Sequence, residues 1–220
     1  MRDIQLEFVF TKCYSEATDE QRVGLNLTDA FRNEIALLKQ QYNGSDTNNL
    51  VLCHGDLHPG SVMVTAAPAA EVRIIDPEFT VYGPPGLDVG SLLSGYCLGA
   101  IHQAFTGNTG VAKDIVQSVQ DIWTAYAQAF TVAAEHVQAT EVETVGFTVA
   151  EVCRTALGFA GGRKWLQFPE SAADKQAAAH KVALELVDAC MVARHTGGMQ
   201  LLLEELRKAV AKGEAYVKKA

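Results

Sequence analysis

The sequence lacks a purely apolar run long enough to cross a membrane, because polar and charged residues interrupt its longest hydrophobic stretches. A membrane-spanning helix needs about 20 consecutive apolar residues, so no such span is expected. The first residues also lack the apolar core of a signal peptide, since Arg2, Asp3 and Glu7 lie among them. These absences make the cytoplasm the expected location.

The sequence also lacks an excess of basic residues. Lys and Arg number 18 against 26 Asp and Glu, which gives a formal net charge of −8. A nucleic-acid groove or a surface for anionic lipid needs clustered positive charge, so neither partner is expected. The charge does not exclude ATP, because phosphates are usually bound locally by Mg²⁺, a lysine and backbone N–H groups.

No Cys-x-x-Cys pair is present among the five cysteines. Their number is odd, and most lie in apolar surroundings, so we expect buried thiols in a reducing compartment. The composition, 48% hydrophobic and 20% charged, is that of an ordinary globular protein with enough length for one substantial core. The cysteines are Cys13, Cys53, Cys97, Cys153 and Cys190.

The most informative stretch is 51–90, which contains an acidic cluster at 54–56 (HGD) and a second at 76–78 (DPE). Between them, 61–65 (SVMVT) and 71–75 (EVRII) are short runs rich in β-branched residues. The Ala/Pro segment that joins these runs suits a hairpin loop. Antiparallel pairing of the two runs would bring both acidic clusters to the same end of the hairpin.

The second cluster has the residue types of a magnesium site. Pro77 favours extended backbone at Asp76, so the Asp76 and Glu78 carboxylates would point in the same direction. Such a pair is tolerated in front of a hard cation, and Mg²⁺ accepts carboxylate ligands while retaining waters. Alone, the motif is more typical of a solvated turn. After a hydrophobic strand and opposite another acid, it favours the metal site.

The first cluster has three interpretations. Asp56 can orient a substrate hydroxyl and accept its proton. Alternatively, His54, Asp56 and His58 alternate along the chain and could bind a transition metal, as in a metallohydrolase. Pro59-Gly60 signals a turn directly after His58, which disfavours a straight strand of metal ligands. The same residues could also be loop residues that bond the backbone.

The blocks HGDLHPGS (54–61), IDPEF (75–79) and YGPPGLDVG (82–90) closely resemble the catalytic block of 5-methylthioribose kinases. That family belongs to the aminoglycoside phosphotransferase and choline kinase group of protein-kinase-like folds. Serine in place of asparagine five residues after Asp56, and proline inside the metal motif, favour this member of the group. The sequence His58-Pro59 departs from the expected His-Thr and is more similar to aminoglycoside kinases.

The resemblance implies a kinase that transfers the γ-phosphoryl group of ATP to the 1-hydroxyl of 5-methylthioribose, with Mg²⁺ as cofactor, in methionine salvage. Asp56 is then the catalytic aspartate next to the sugar hydroxyl. Asp76 and Glu78 hold Mg²⁺ against the ATP phosphates. Ser61 takes the place of the metal-binding asparagine of kinases, which a hydroxyl replaces more weakly.

The remaining implied residues support the site or bind the substrate. Asp88 is the structural aspartate that opens the next helix, where it is placed to act as N-cap, and it bonds back to the catalytic loop. His54 is a second structural residue, and His58 is a substrate contact. Arg154 is the nearest match to paired arginines that reach the substrate; a surface arginine on an amphipathic helix is the alternative.

The rest of the chain is predicted to be mostly helical, and the fold class is α+β. We expect a strand-like run at 6–10 and a polar loop around 135–145. The glycine-rich stretch 158–164 (GFAGGRK) follows a helical pattern and lacks a Gly-Lys-Ser/Thr ending, so it is interpreted as a helix terminus and turn. Helices are expected at 30–42, 88–105, 114–134, 147–160, 174–195 and 199–219.

The expected architecture is one kinase-like C-terminal lobe over 1–220, with an irregular lead-in at 1–29, the catalytic block at 51–90 and a helical subdomain at 91–220. Before residue 50 there is no glycine-rich strand-turn-strand, strand lysine or partner glutamate, which hold the nucleotide in kinases. We therefore expect the N-terminal lobe to be missing, and the isolated chain to have little or no turnover.

Three functional classes stay open at this point. A small-molecule kinase would have a sugar and ATP as partners, and a homodimer is compatible with it. Another aminoglycoside or choline kinase-like phosphotransferase is the variant with a different acceptor. A metal-dependent hydrolase would use His54, Asp56, His58 and Asp76, and a non-catalytic remnant would use none of them.

Overall fold

A computed structural model describes residues 2–44, 49–66, 68–129, 134–163 and 165–219. Three residue sets named above lie outside this description, namely Ala67 of the hairpin loop, 130–133 of a predicted helix and Lys164 of the predicted turn. The described α-helices are α1 (Arg2–Glu7), α2 (Cys13–Ser15), α3 (Asp29–Tyr42), α4 (Gly86–Phe105), α5 (Thr109–Ala129), α6 (Ala134–Ala156), α7 (Ala173–Met191) and α8 (Arg194–Lys219), and the strands are β1 (Val51–Cys53), β2 (Val62–Val64), β3 (Val72–Ile74) and β4 (Val81–Gly83).

Helix α4 lies at the centre of the helical part and packs against α5, α6, α7 and α8. Its side chains Leu93, Leu98 and Ile101 are fully buried. Small residues along this helix allow close packing against its neighbours. At Gly90, an added Cβ would lie 2.7 Å from the Cβ of Phe147 on α6, a distance that no side chain tolerates without a shift.

The strands form two separate two-stranded antiparallel sheets, β1 with β4 and β2 with β3. Val62 pairs with Ile74 and Val64 with Val72, which confirms the predicted hairpin. None of the residues in β2 or β3 is buried. The prediction of a mostly helical chain with few strands is also confirmed within the described residues.

The strand predicted at 6–10 is wrong, and so is the irregular start. The chain forms α1, a π-helical turn at Phe8–Lys12, and α2. Gln5, Val9 and Cys13 are all buried, and their spacing of four residues places them on one helical face. The β-branched and aromatic composition indicated a strand, but a helix buries these side chains against the core without needing a strand partner.

Helix α3 agrees with its prediction, and the Thr28 side chain caps it by accepting the N–H of Phe31. The predicted loop at 135–145 is wrong, because α6 runs continuously through it. Thr140 and Thr144 are buried there, so a polar composition was mistaken for exposure. Gly198 has non-helical backbone angles (φ 50°, ψ −144°) within α8, which agrees with the break predicted before residue 199.

All five cysteines are free and buried, as predicted. Burial raises the pKa of Cys13, Cys53 and Cys190 to about 12, so these thiols stay protonated at neutral pH. Among the described helices, none is both long and apolar enough to traverse a bilayer.

Candidate active site

Asp88 holds the loop that carries Asp56. Its Oδ2 accepts the N–H of His54 at 2.6 Å and its Oδ1 accepts the N–H of Gly55 at 2.9 Å. These are the bonds to the catalytic loop that the resemblance implied. The N-cap prediction is wrong, because α4 begins at Gly86 and Asp88 is in its first turn. Burial raises the pKa of Asp88, and the two N–H bonds only partly oppose that rise.

The same loop lies directly against the segment of the second acidic cluster. Gly55 has φ +83°, and an added Cβ would collide with the carbonyl of Phe79, so glycine is required. The His54 ring contacts the carbonyl oxygen of Ile75 at 2.8 Å through Nε2. Because Ile75 and Phe79 flank Asp76 and Glu78, these contacts place both clusters at the same end of the hairpin.

Ser61 and His58 both use polar atoms within the loop. Ser61 is buried, and its hydroxyl donates to the Asp56 carbonyl oxygen at 3.3 Å. His58 Nδ1 accepts the N–H of Gly60 at 3.0 Å, and its Nε2 is 3.8 Å from Asp56 Oδ2. Burial lowers the pKa of His58, and the nearby Arg163 charge lowers it further. Ser61 therefore supports the backbone at Asp56, and its metal-binding role stays a prediction.

Asp56 is joined to a charged group that sequence reasoning missed. The guanidinium of Arg163 pairs with Asp56 Oδ1 through Nη2, and its Nη1 donates to Glu151 Oε2 at 3.0 Å. Glu151 is buried, with 7% of its surface exposed. The turn interpretation of 158–164 described the backbone there but assigned Arg163 no role. No spacing rule connects residues that are 107 positions apart.

Arg154 is buried rather than on the surface, which corrects one of its two interpretations. Its Nη2 lies 2.8 Å from Glu151 Oε2, and its Nη1 donates to Gln5 Oε1 at 3.5 Å. Arg154 is thus linked to Asp56 through other side chains. Its helix, α6, is amphipathic in sequence, but the face that carries Arg154 is covered by the N-terminal segment.

The structure places Asp76 and Glu78 on the surface, next to the loop that carries Asp56. Asp76 has φ +67°, so the predicted extended conformation is wrong. Aspartate tolerates this left-handed region better than most residues, and strained backbone of this kind clusters at functional sites. The parallel direction that was inferred for the two carboxylates loses its basis.

In the described part of the chain, no three His, Cys, Asp or Glu side chains lie close enough together to hold a metal ion by themselves. This disfavours the hydrolase interpretation, since Zn²⁺ needs three or four such ligands. The donor set at Asp76 and Glu78 fits Mg²⁺ better, because that ion takes one or two carboxylates and completes its shell with waters and substrate phosphates.

A cavity of about 580 Å³ adjoins the charged group, and Arg163 forms part of its wall. The side chain of Gln176, which also lines the cavity, accepts the N–H of Phe168 at 2.8 Å and donates to the Leu166 carbonyl at 2.6 Å. Apolar and polar groups share the lining, which is typical of a small-molecule pocket. Among its lining residues are Arg163, Leu166, Phe168, Pro169, Gln176 and His180.

Comparison with known proteins points to phosphotransferases. Residues 10–113 match the phosphotransferase enzyme family, and they include the catalytic block. Methylthioribose kinase 1 of Oryza sativa subsp. japonica is 31% identical over 128 residues, which make up 55% of this chain and 28% of that protein. The methylthioribose kinase of Exiguobacterium sibiricum is 30% identical over 171 residues, or 72% of this chain and 41% of that protein.

A third relative, the methylthioribose kinase of Geobacillus kaustophilus, is 31% identical over 148 residues, or 60% of this chain and 35% of that protein. The resemblance indicated by the motifs is thereby confirmed: the chain is similar to kinases of the phosphotransferase enzyme family. The matched segments account for 28% to 41% of these three relatives, so this chain covers less than half of each.

Proposed function

We propose that this chain forms the catalytic-loop part of a Mg²⁺-dependent kinase that transfers the γ-phosphoryl group of ATP to a sugar hydroxyl. The observation that carries the proposal is the loop of Asp56, which Asp88 holds by two N–H bonds and which packs against the Asp76–Glu78 segment. An alcohol-activating aspartate and a metal-binding acid pair at one place are what phosphoryl transfer requires.

Asp56 would orient the acceptor hydroxyl and take its proton as the new O–P bond forms. Asp76 and Glu78 would hold Mg²⁺, which supplies charge neutralisation at the phosphates when it is bound. Arg163, beside Asp56, would keep positive charge near the reacting oxygen. The side chains of His54 and Ser61 would keep the loop in position through their bonds to Ile75 and to the Asp56 carbonyl.

The cavity beside Arg163 is the proposed acceptor pocket, because Arg163, which pairs with Asp56, forms part of its lining. We infer 5-methylthioribose as the acceptor from the names of the three similar kinases. The apolar side chains of Leu166 and Phe168 suit a sugar with an apolar substituent. An aminoglycoside is the second candidate, since His58-Pro59 is closer to that group and the net charge of −8 suits a cationic acceptor.

The activity is proposed for a polypeptide that includes this chain, because the similar kinases are much longer than the matched segments. The test is a panel of 5-methylthioribose, aminoglycosides, choline and homoserine with Mg-ATP, with and without EDTA. The 220-residue chain is assayed beside a longer polypeptide in which the same chain is fused to the remaining part of one of these relatives. We expect transfer to 5-methylthioribose that EDTA abolishes.

The variant Asp56→Asn in the active polypeptide should lower kcat at least about a hundredfold, as expected when a catalytic base is lost. Asp114→Asn, which neutralises an exposed acid on α5, is the matched control and should retain the full rate. Equal rates for Asp56→Asn and wild type would refute the role of Asp56. Transfer to another acceptor alone would move the assignment to that substrate.

A further inference from the structure

Five side chains form a closed hydrogen-bonded ring, and Asp56 of the proposed catalytic loop is one of them. Asp56 Oδ1 pairs with Arg163, and Arg163 and Arg154 both bond to Oε2 of Glu151. Arg154 continues to Gln5 Oε1 at 3.5 Å, and Gln5 Nε2 returns to Asp56 Oδ1 at 3.4 Å. The ring joins helix α1, the catalytic loop, helix α6 and the wall of the cavity.

The charges in this ring cancel, with two carboxylates and two guanidiniums, and the ion-paired side chains are 8% to 20% exposed. Removing one partner from a buried charge network leaves the others uncompensated. Glu151 is the member bonded to both guanidiniums. Without it, two cations would lie side by side with Asp56 as the remaining anionic member of the ring.

We propose that Glu151 is a positioning residue for the transfer reaction. It binds Nη1 of the Arg163 guanidinium while Nη2 of the same group pairs with Asp56, and it thereby sets the orientation of the Asp56 carboxylate. Glu151 has no direct bond to Asp56 and acts through Arg163. This inference rests on the proposed function for its catalytic consequence only. The orientation of Arg163 can be measured whether or not the chain transfers phosphate.

The first test is a double-mutant cycle for Asp56→Asn and Arg163→Gln, measured by urea unfolding in the wild-type chain and again in Glu151→Gln. If Glu151 holds Arg163 in place, the coupling between Asp56 and Arg163 is weaker in Glu151→Gln than in the wild-type chain. Expressed as a ratio of unfolding constants, the coupling falls at least about threefold. A coupling that is unchanged or larger in Glu151→Gln overturns the proposal, because Arg163 would then find Asp56 unaided.

The second test is limited trypsin digestion, with the cleavage after Arg163 quantified by mass spectrometry. Loss of a buried charged hydrogen bond should raise cleavage at Arg163 roughly tenfold or more, since proteolysis follows the population of the open form. Cleavage at other sites should change by less than about twofold. Equal acceleration at all sites would indicate general destabilisation and would count against a specific role for Glu151.

The matched control is Glu141→Gln, on the same helix. Glu141 accepts the N–H of Met199 at 2.8 Å and has no bond to the ring. This variant should leave both the coupling and the cleavage after Arg163 at wild-type levels, and a change as large as that of Glu151→Gln contradicts the proposal. If Glu151→Gln does not fold, Glu151→Asp replaces it, because the shorter side chain keeps the charge and cannot reach both guanidiniums.

In the polypeptide that shows phosphotransfer, Glu151→Gln should lower kcat about tenfold or more while KM for both substrates stays within about threefold. A purely structural residue would lower the amount of folded enzyme and leave kcat per folded molecule unchanged, and that result overturns the proposal. If no phosphotransfer is detected, the proposed function fails. The coupling and the cleavage then decide the role of Glu151 by themselves.

Discussion

The helical part of the chain and its strand-rich part, residues 51–83, differ in how far they bury their apolar side chains. In the helices, side chains such as Leu98, Ile101 and Leu206 are fully buried in one continuous core. In the strands, several large apolar side chains are more than half exposed, among them Met63 at 58% and Ile74 at 60%. The strand-rich part, which carries the acidic clusters, is therefore the part that is least stabilised by burial of its own side chains.

This difference shows how the candidate site is stabilised. An isolated two-stranded hairpin is marginal in water, so β2 and β3 cannot position the acids by their own pairing. The helical part provides the fixed groups instead. Asp88 on α4 bonds the loop backbone, and Glu151 on α6 bonds Arg163 beside Asp56. The strands determine the position of the acidic clusters, and the bonds from the helices determine how well that position is stabilised.

The comparison is tested most strongly by removing one large side chain from each part. Phe147→Ala on α6 should lower the free energy of unfolding by about 3–5 kcal/mol, because it leaves a cavity in the core. Ile74→Ala on β3 should change it by less than about 0.5 kcal/mol, since that side chain is mostly exposed. Urea unfolding followed by far-UV circular dichroism measures both. Similar losses would mean that the hairpin is buried in solution and would remove the contrast.

A smaller effect is expected from the link between the two parts. Asp88→Asn keeps the shape of the side chain but replaces one acceptor oxygen by an amide donor, which faces a loop N–H. The free energy of unfolding should fall by about 1–3 kcal/mol. Asp114→Asn makes the same change on an exposed helix face and should cost less than about 0.5 kcal/mol. If the two variants are equally stable, the loop is not held by Asp88.

The smallest effect concerns pH. Burial lowers the pKa of His180, in the cavity wall, below its ordinary value of 6.5. Its unfolded form binds a proton at higher pH than its folded form, so the stability contribution is complete above pH 6.5 and is lost as the pH falls through the folded pKa. Unfolding free energies between pH 8 and pH 5 should therefore decline more in wild type than in His180→Gln.

His58 should add to the same acid-side decline, because burial lowers its pKa too. The raised pKa of Asp88 acts in the opposite direction, since its folded form keeps a proton above pH 3.8. The difference between wild type and His180→Gln isolates the His180 contribution from both. Parallel pH profiles for the two proteins would show that His180 is not buried in solution.

Features that depend on local sequence could be predicted. The hairpin follows from β-branched runs around an Ala/Pro loop, helix α3 from the helical spacing of its apolar residues, and the buried thiols from their apolar neighbours. The bonds of Asp88 to the loop came from the resemblance to kinases rather than from spacing. These predictions succeed because each feature is fixed by residues that are close in sequence or belong to a recognisable block.

Features that depend on packing could not be predicted. The segment at 6–10 has strand-like composition, and only contact with the core makes it helical. The pairing of Arg163 with Asp56 joins residues 107 positions apart, and the sequence analysis assigned no role to their shared neighbour Glu151. Pro77 restricts the backbone of Asp76, and this restriction predicted an extended conformation. The structure has a left-handed conformation at Asp76 instead, in the segment where Phe79 packs closely against Gly55.

The ring around Asp56 also has a consequence for the order of folding. Gln5 and Arg154 are 149 positions apart in the chain, so the loop that they close is among the longest that this protein can form. Closing it costs chain entropy before any contact is gained. During synthesis, Asp56 emerges long before its partner at position 163. The loop that carries Asp56 therefore stays without its ionic neighbours until most of the polypeptide has left the ribosome.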